Sequence, residues 1–197
     1  PGYPVLLQFI EFLSGGPFND RISEQAAVLT TWMQTMLGLT TPVLIFISLM
    51  ELGLSQKLSL AAAMICGLIP HTAIFEMTIL SESLSLFSLV FTILLLIICL
   101  KKMLSGEKSL WLPLITGLAF GYSVLVRPNN LVFYLVFLAG SLVAAGVHRI
   151  RTGKASCSPH ARMSALILLG MAVPLFCWMC FSYGNKRGFT LTPMVSI

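Results

Sequence analysis

Apolar residues run along this chain in long uninterrupted stretches, and polar residues collect in the gaps between them. Six stretches stand out, approximately Ala26–Met50, Leu58–Phe75, Leu84–Leu100, Leu110–Val126, Leu131–Val147 and Met163–Tyr183. Each is at or near the roughly 17–25 residues that an α-helix needs to cross a bilayer. None shows the ten-residue apolar–polar alternation of membrane barrel strands. In lipid, backbone groups must be satisfied inside their own segment, so continuous runs of this length predict helices. The predicted fold class is all-α, a polytopic integral-membrane bundle of about six transmembrane helices. The expected layout is one partial transmembrane domain, with the end of an external loop over 1–23, helices over 24–183 and a further external segment from 184 to 197.

Helix breakers punctuate the pattern. Pro42 lies in the first stretch, Pro70 near the end of the second, Pro113 near the start of the fourth and Pro174 within the sixth, while Pro128 separates the fourth from the fifth. Membrane helices tolerate proline where neighbours re-satisfy the freed carbonyls. Gly117 and Gly121 form a GxxxG in the fourth stretch, and Gly140 and Gly146 lie in the fifth; close helix packing is the expected use of all four. Ahead of the first stretch, LLQFIEFL reads as a short amphipathic helix along the membrane surface, entered through the turn Pro1-Gly2-Tyr3-Pro4.

Composition supports the membrane class. The chain is 57% hydrophobic and only 10% charged, with mean hydropathy +0.93, where soluble domains carry roughly a quarter charged residues. No basic region precedes an apolar one at the start, so no signal peptide is read there. The opening on Pro1 and the stop at Ile197 are expected to be cuts through a longer protein. Four of the five cysteines sit in apolar runs, and Cys177-Trp-Met-Cys180 reads as helix packing in place of a metal or redox pair.

The net charge of +5 does not indicate nucleic acid, because the basic residues sit in short loops and form no stripe. They sort by side instead. Lys57, Lys101, Lys102, Lys108, Arg149, Arg151, Lys154 and Arg162 fall in one set of connections, and Arg21, Arg127, Lys186 and Arg187 in the other. The positive-inside rule puts the richer set in the cytoplasm. Five of the seven acidic residues, Glu11, Asp20, Glu24, Glu76 and Glu82, then lie on the outer side. Acidic side chains contribute little to orientation, so their concentration there asks for another cause.

Two outer junctions carry the candidate chemistry. In PHTAIFEMTILSESLSLF, Ser81 or Ser83 is placed to cap the next helix, with Glu82 in its first turn and favoured by the helix dipole. The functional reading of Glu82 and the more deeply set Glu76 is a carboxylate facing a cavity. In GYSVLVRPNNLVFY, Pro128 restrains Arg127, and Asn129 and Asn130 offer amide donors and a helix cap. Arg127 is either a snorkelling interfacial residue or a phosphate or phospholipid contact.

These junctions, with the PGYP turn, resemble the polytopic glycosyltransferases of the GT-C fold, nearest to bacterial relatives of protein mannosyltransferases and the lipid A aminoarabinose transferase. Ser81-Glu82-Ser83-Leu84 stands where that family has an acidic-Ser-Leu stretch, and Val126-Arg127-Pro128 where it has a TRP-like triplet. Val126 replaces a small hydroxyl residue, and Asn129 stands where an acidic residue is common. The resemblance implies sugar transfer from a polyprenyl-phosphate donor to a lipid, glycan or protein acceptor on the extracytoplasmic side, in a bacterial inner membrane ahead of the endoplasmic reticulum. It implies substrate contacts from Arg127, Glu82, Glu76, Asn129 and Tyr3, with the catalytic acid upstream of Pro1, and it leaves a divalent cation open as cofactor. No metal ligands are assigned. Lipid is the expected surrounding partner. The rival readings are a multi-pass transporter or flippase-like permease, and a membrane scaffold without catalysis.

Overall fold

The computed structural model describes Leu7, Phe9, Ile10, Phe12 and residues 24–68, 82–107, 109–152 and 159–184. The described residues are helical apart from turns, with no strand among them. Six helices follow one another: α1 Glu24–Glu51, α2 Gln56–Leu68, α3 Glu82–Leu104, α4 Trp111–Val126, α5 Leu131–Thr152 and α6 Pro159–Gly184, with a 3-10 turn Pro128–Asn130 between α4 and α5. Leu7, Phe9, Ile10 and Phe12 are also helical; Ile10 is buried while Phe9 and Phe12 are exposed, the two-sided character read in LLQFIEFL.

Three helices are long and apolar enough to cross a membrane: α1, α3 and the His160–Tyr183 part of α6. At 1.5 Å per residue they reach about 35–42 Å, against a hydrocarbon core of about 30 Å. The helical membrane bundle read from the sequence is observed, and three of its six stretches meet this length among the described residues. Gln56–Leu68, Trp111–Val126 and Pro128–Ala144 are apolar but shorter. The predicted second span continues past Leu68 into residues outside those described. The fourth is stopped by Arg127-Pro128, and the apolar part of the fifth ends before His148 and Arg149.

The helices are inside out relative to those of a soluble protein. On α1 the buried residues are Ala26, Thr30, Gln34, Thr41 and Ser48, while Val28, Trp32, Met36, Leu39, Val43, Ile47 and Met50 are exposed. Both sets recur at steps of three, four or seven, so each marks one face of a helix. On α3, Ser83, Ser85, Ser88 and Thr92 are buried, and Leu86 and Phe91 are exposed. Water would drive the opposite arrangement. Lipid removes that drive, and small hydroxyl residues then let helices approach closely. Several of the hydroxyls bond within their own helix: Thr30 to the Ala26 carbonyl at 2.7 Å, Thr41 to Leu37 at 2.8 Å, Ser48 to Leu44 at 2.7 Å and Thr92 to Ser88 at 2.6 Å. A serine or threonine satisfied by the previous turn can be buried without a partner across the interface. The chain is an integral membrane protein.

The structure divides into two compact units, Pro1–Ile97 and Ile98–Ile197, so α3 starts in the first and ends in the second. In the first unit α1 packs on α2. The Pro42 ring lies against Gly67, where an added Cβ would come within 3.0 Å of the proline Cγ. In the second unit α6 packs on α4 and on α5. The GxxxG of α4 is used here as expected. A Cβ on Gly117 would collide with the Ile167 carbonyl and lie 2.9 Å from Gly170 Cα, and one on Gly121 would collide with the Pro174 ring. Pro42 of α1 and Pro174 of α6 thus each rest on a glycine of the helix they pack against. The same expectation is not met at Gly140 and Gly146 of α5, where an added Cβ would find no described atom of another element within 4 Å. The Cys177 and Cys180 side chains are exposed on α6 as free thiols, so the expected packing role is corrected as well.

Two helix ends share one geometry. Gly53 and Gly106 have φ of 86° and 83°, a region open to glycine at little cost. Gly53 N–H donates to Met50 O at 3.0 Å and Leu54 N–H to Leu49 O at 3.2 Å; Gly106 N–H donates to Met103 O at 3.1 Å and Glu107 N–H to Lys102 O at 3.0 Å. These paired bonds are Schellman closures, which use up carbonyls left over at a helix C-terminus. Both lie in the lysine-bearing connections assigned to the cytoplasmic side.

Candidate functional site

The best-defined polar arrangement in the second unit is the corner between α4 and α5. Its cause is local. The residue before a proline is pushed out of the helical region, and Arg127 sits at φ −145°, ψ 111°, extended. Its N–H still reaches the Ser123 carbonyl at 3.0 Å, closing the last turn of α4. Pro128 then opens the 3-10 turn, and the Asn130 N–H returns to the Arg127 carbonyl at 3.0 Å.

This turn swings Asn130 inward. Its side chain is buried and donates from Nδ2 to the Ser123 Oγ at 2.7 Å and to the Ser123 carbonyl at 3.2 Å. It ties back seven residues onto the helix before it, and the 3-10 turn has no side-chain cap. Beside it, Phe120 and Tyr134 meet edge to face, with ring centroids 5.4 Å apart and planes at 69°, joining α4 to α5. Both faces of the corner are thus fixed, one by amide hydrogen bonds and the other by an aromatic pair.

Arg127 and Asn129 remain exposed on the outside of this corner. The structure therefore presents a guanidinium at the end of a buried apolar helix, on a backbone that the proline and the Ser123–Asn130 bonds hold in place. An exposed arginine so placed can meet any anionic group at the membrane boundary. Glu82 is the first helical residue of α3, in the half-buried first turn, where the dipole reading put it. Ser83, offered as a cap, is instead the second residue of the helix, and its hydroxyl is buried without a hydrogen-bond partner among the described residues. Glu82 belongs to the first unit, and Arg127 and Asn129 to the second. Tyr3 and Glu76 lie outside the described residues. The features that sequence reasoning missed are the Ser123–Asn130 bond pair and the buried Ser83 hydroxyl. Asparagine two residues after a proline was the only available signal for the first.

No family model matches this chain. No solved structure matches it either. Among characterised proteins, it is 37% identical over 76 residues to Serpentine receptor class r-10 of Caenorhabditis briggsae, a match covering 36% of this chain and 22% of the receptor. The matched stretch is less than a quarter of that relative's length. This finding overturns the expectation of sugar transfer from a polyprenyl-phosphate donor, since the likeness is to a receptor and not to a transferase. It lends no support to the permease alternative.

Proposed function

We propose that this chain is a membrane-embedded helical part of a receptor, in which helices shift against one another when a ligand binds. The observation that carries the reading is the 76-residue likeness to Serpentine receptor class r-10. The inside-out helices suit it, because bundles that pack through small and self-satisfied residues rearrange without stranding polar groups. The reading places the chain in a membrane facing the cell exterior. Within it, Arg127 anchors the α4–α5 corner at the level of the lipid headgroups, its stem in the apolar layer and its charge at the boundary.

The test uses the full-length protein in lipid nanodiscs, with an environment-sensitive dye on Cys177 and the other cysteines replaced. It is titrated with a panel of small organic molecules spanning charge and hydrophobicity. A molecule that binds saturably, shifts the emission and is recovered chemically unchanged supports the proposal. Covalent turnover of the bound molecule, or its net passage across sealed vesicles, overturns it.

A further inference from the structure

The first unit holds a partly open cavity of about 40 Å³ at the proline of α1. Its walls come from α1, α2 and α3: Ile45 and Leu86 make part of the lining apolar, and Gly38, Thr41, Pro42 and Ser83 bring polar groups to the rest. Pro42 has no N–H, so the Gly38 carbonyl one turn earlier is denied its helical donor. Ser83 is only 7% exposed, and its hydroxyl has no hydrogen-bond partner among the described residues. The Thr41 hydroxyl donates to the Leu37 carbonyl at 2.8 Å, which leaves its oxygen able to accept. A freed carbonyl, an orphan hydroxyl and a second acceptor therefore belong to residues that line the same small cavity.

Empty protein cavities are apolar, and a buried water needs two to four polar partners and roughly 10–15 Å³. This cavity meets both requirements, with room for about two or three waters. We infer that it is a hydration site: water bound between α1, α2 and α3 donates to the Gly38 carbonyl and bridges to the Ser83 hydroxyl. The bridge replaces the hydrogen bond that Pro42 removes and connects the middle of α1 to the start of α3. Ordered water is one of the means by which membrane helices accommodate an internal proline. The site goes beyond the receptor reading and does not depend on it.

The experiment has two arms, both on the full-length protein. The first is a structure at about 2 Å or better. Water density within hydrogen-bond distance of both Ser83 Oγ and Gly38 O is expected. An empty cavity, or a Ser83 hydroxyl bonded to a protein carbonyl, overturns the inference. The second compares Ser83→Thr with Ser83→Val, which have the same shape and differ by the hydroxyl. In a hydrated site the valine removes a water partner, and its Tm falls below that of the threonine variant by roughly 2–4 °C. In a dry site the valine fills a void and relieves an orphan hydroxyl, so an equal or higher Tm overturns the inference. Failure of Ser83→Val alone to fold counts with a lowered Tm. If both variants fail to fold, the density decides.

Discussion

Gly117→Ala is the sharpest test of how the second unit is packed. The substitution adds one methyl group on the face of α4 that meets α6. That methyl would collide with the Ile167 carbonyl and lie 2.9 Å from both Gly170 Cα and Met171 N. Comfortable contact between carbon atoms begins at about 3.5 Å, so the shortfall is about 0.6 Å at Gly170 Cα and larger at the Ile167 carbonyl, against backbone that cannot turn aside as a side chain can. Overpacking of this kind costs about 1–3 kcal/mol, offset by up to about 1 kcal/mol from alanine's better helix propensity. The net expectation is a loss of about 1–2 kcal/mol, a five- to thirty-fold change in the folded-to-unfolded ratio. Gly140→Ala is the control within the same protein. Nothing lies within 4 Å of that position, so only the propensity gain of about 0.5–1 kcal/mol remains and the sign reverses. Unfolding of both variants by graded SDS addition, followed by tryptophan fluorescence in one lipid composition, measures the pair. A Gly117→Ala protein as stable as wild type, or as Gly140→Ala, would refute the close approach of α4 and α6.

The corner between α4 and α5 gives a second contrast. Asn130→Ala leaves the Ser123 hydroxyl buried without its donor and is expected to lower stability by about 1–3 kcal/mol; Arg127→Ala, at an exposed position, should stay within about 0.5 kcal/mol. Equal effects in the same unfolding assay would count against the bond pair. Lys102 and Glu107 are 3.1 Å apart with both side chains about half exposed, so Glu107→Gln should change stability by less than about 1 kcal/mol, and less again in high salt. Single cysteines placed at Lys102 and Arg162 should react with an impermeant reagent from one side of sealed vesicles, and one at Arg127 from the other; labelling of all three from a single side would reject the charge-based orientation.

Much of the helical layout was legible in the apolar runs, because a lipid-facing helix has a length requirement that the sequence must meet. The α4 span was predicted as Leu110–Val126 and observed as Trp111–Val126, ended by Arg127-Pro128. Gly117 and Gly121 were legible because a four-residue spacing puts both on one helix face. Gly140 and Gly146 were read by the same rule, but their six-residue spacing does not align them, and an added Cβ would meet no described atom of another element at either. The tie from Asn130 to Ser123 was not legible, because propensity tables see the turn ahead and not the serine seven residues behind. The functional expectation rested on short strings, SES and VRP, whose residue types also suit ordinary helix caps and interface anchors. Glu82 does stand in the first turn of α3, where the helix dipole favours a carboxylate.

The hydroxyl-lined face of α1 has a mechanical consequence. Thr30, Thr31, Thr35, Thr41 and Ser48 each donate to a carbonyl of their own helix, so each carries its acceptor along when the helix moves. An interface built on interhelical hydrogen bonds has notches: a slide of one residue breaks every bond before any can reform. Those five hydroxyls set no such notches, so the register of α1 rests on other points of its surface, among them the Pro42–Gly67 contact and the polar cavity beside it.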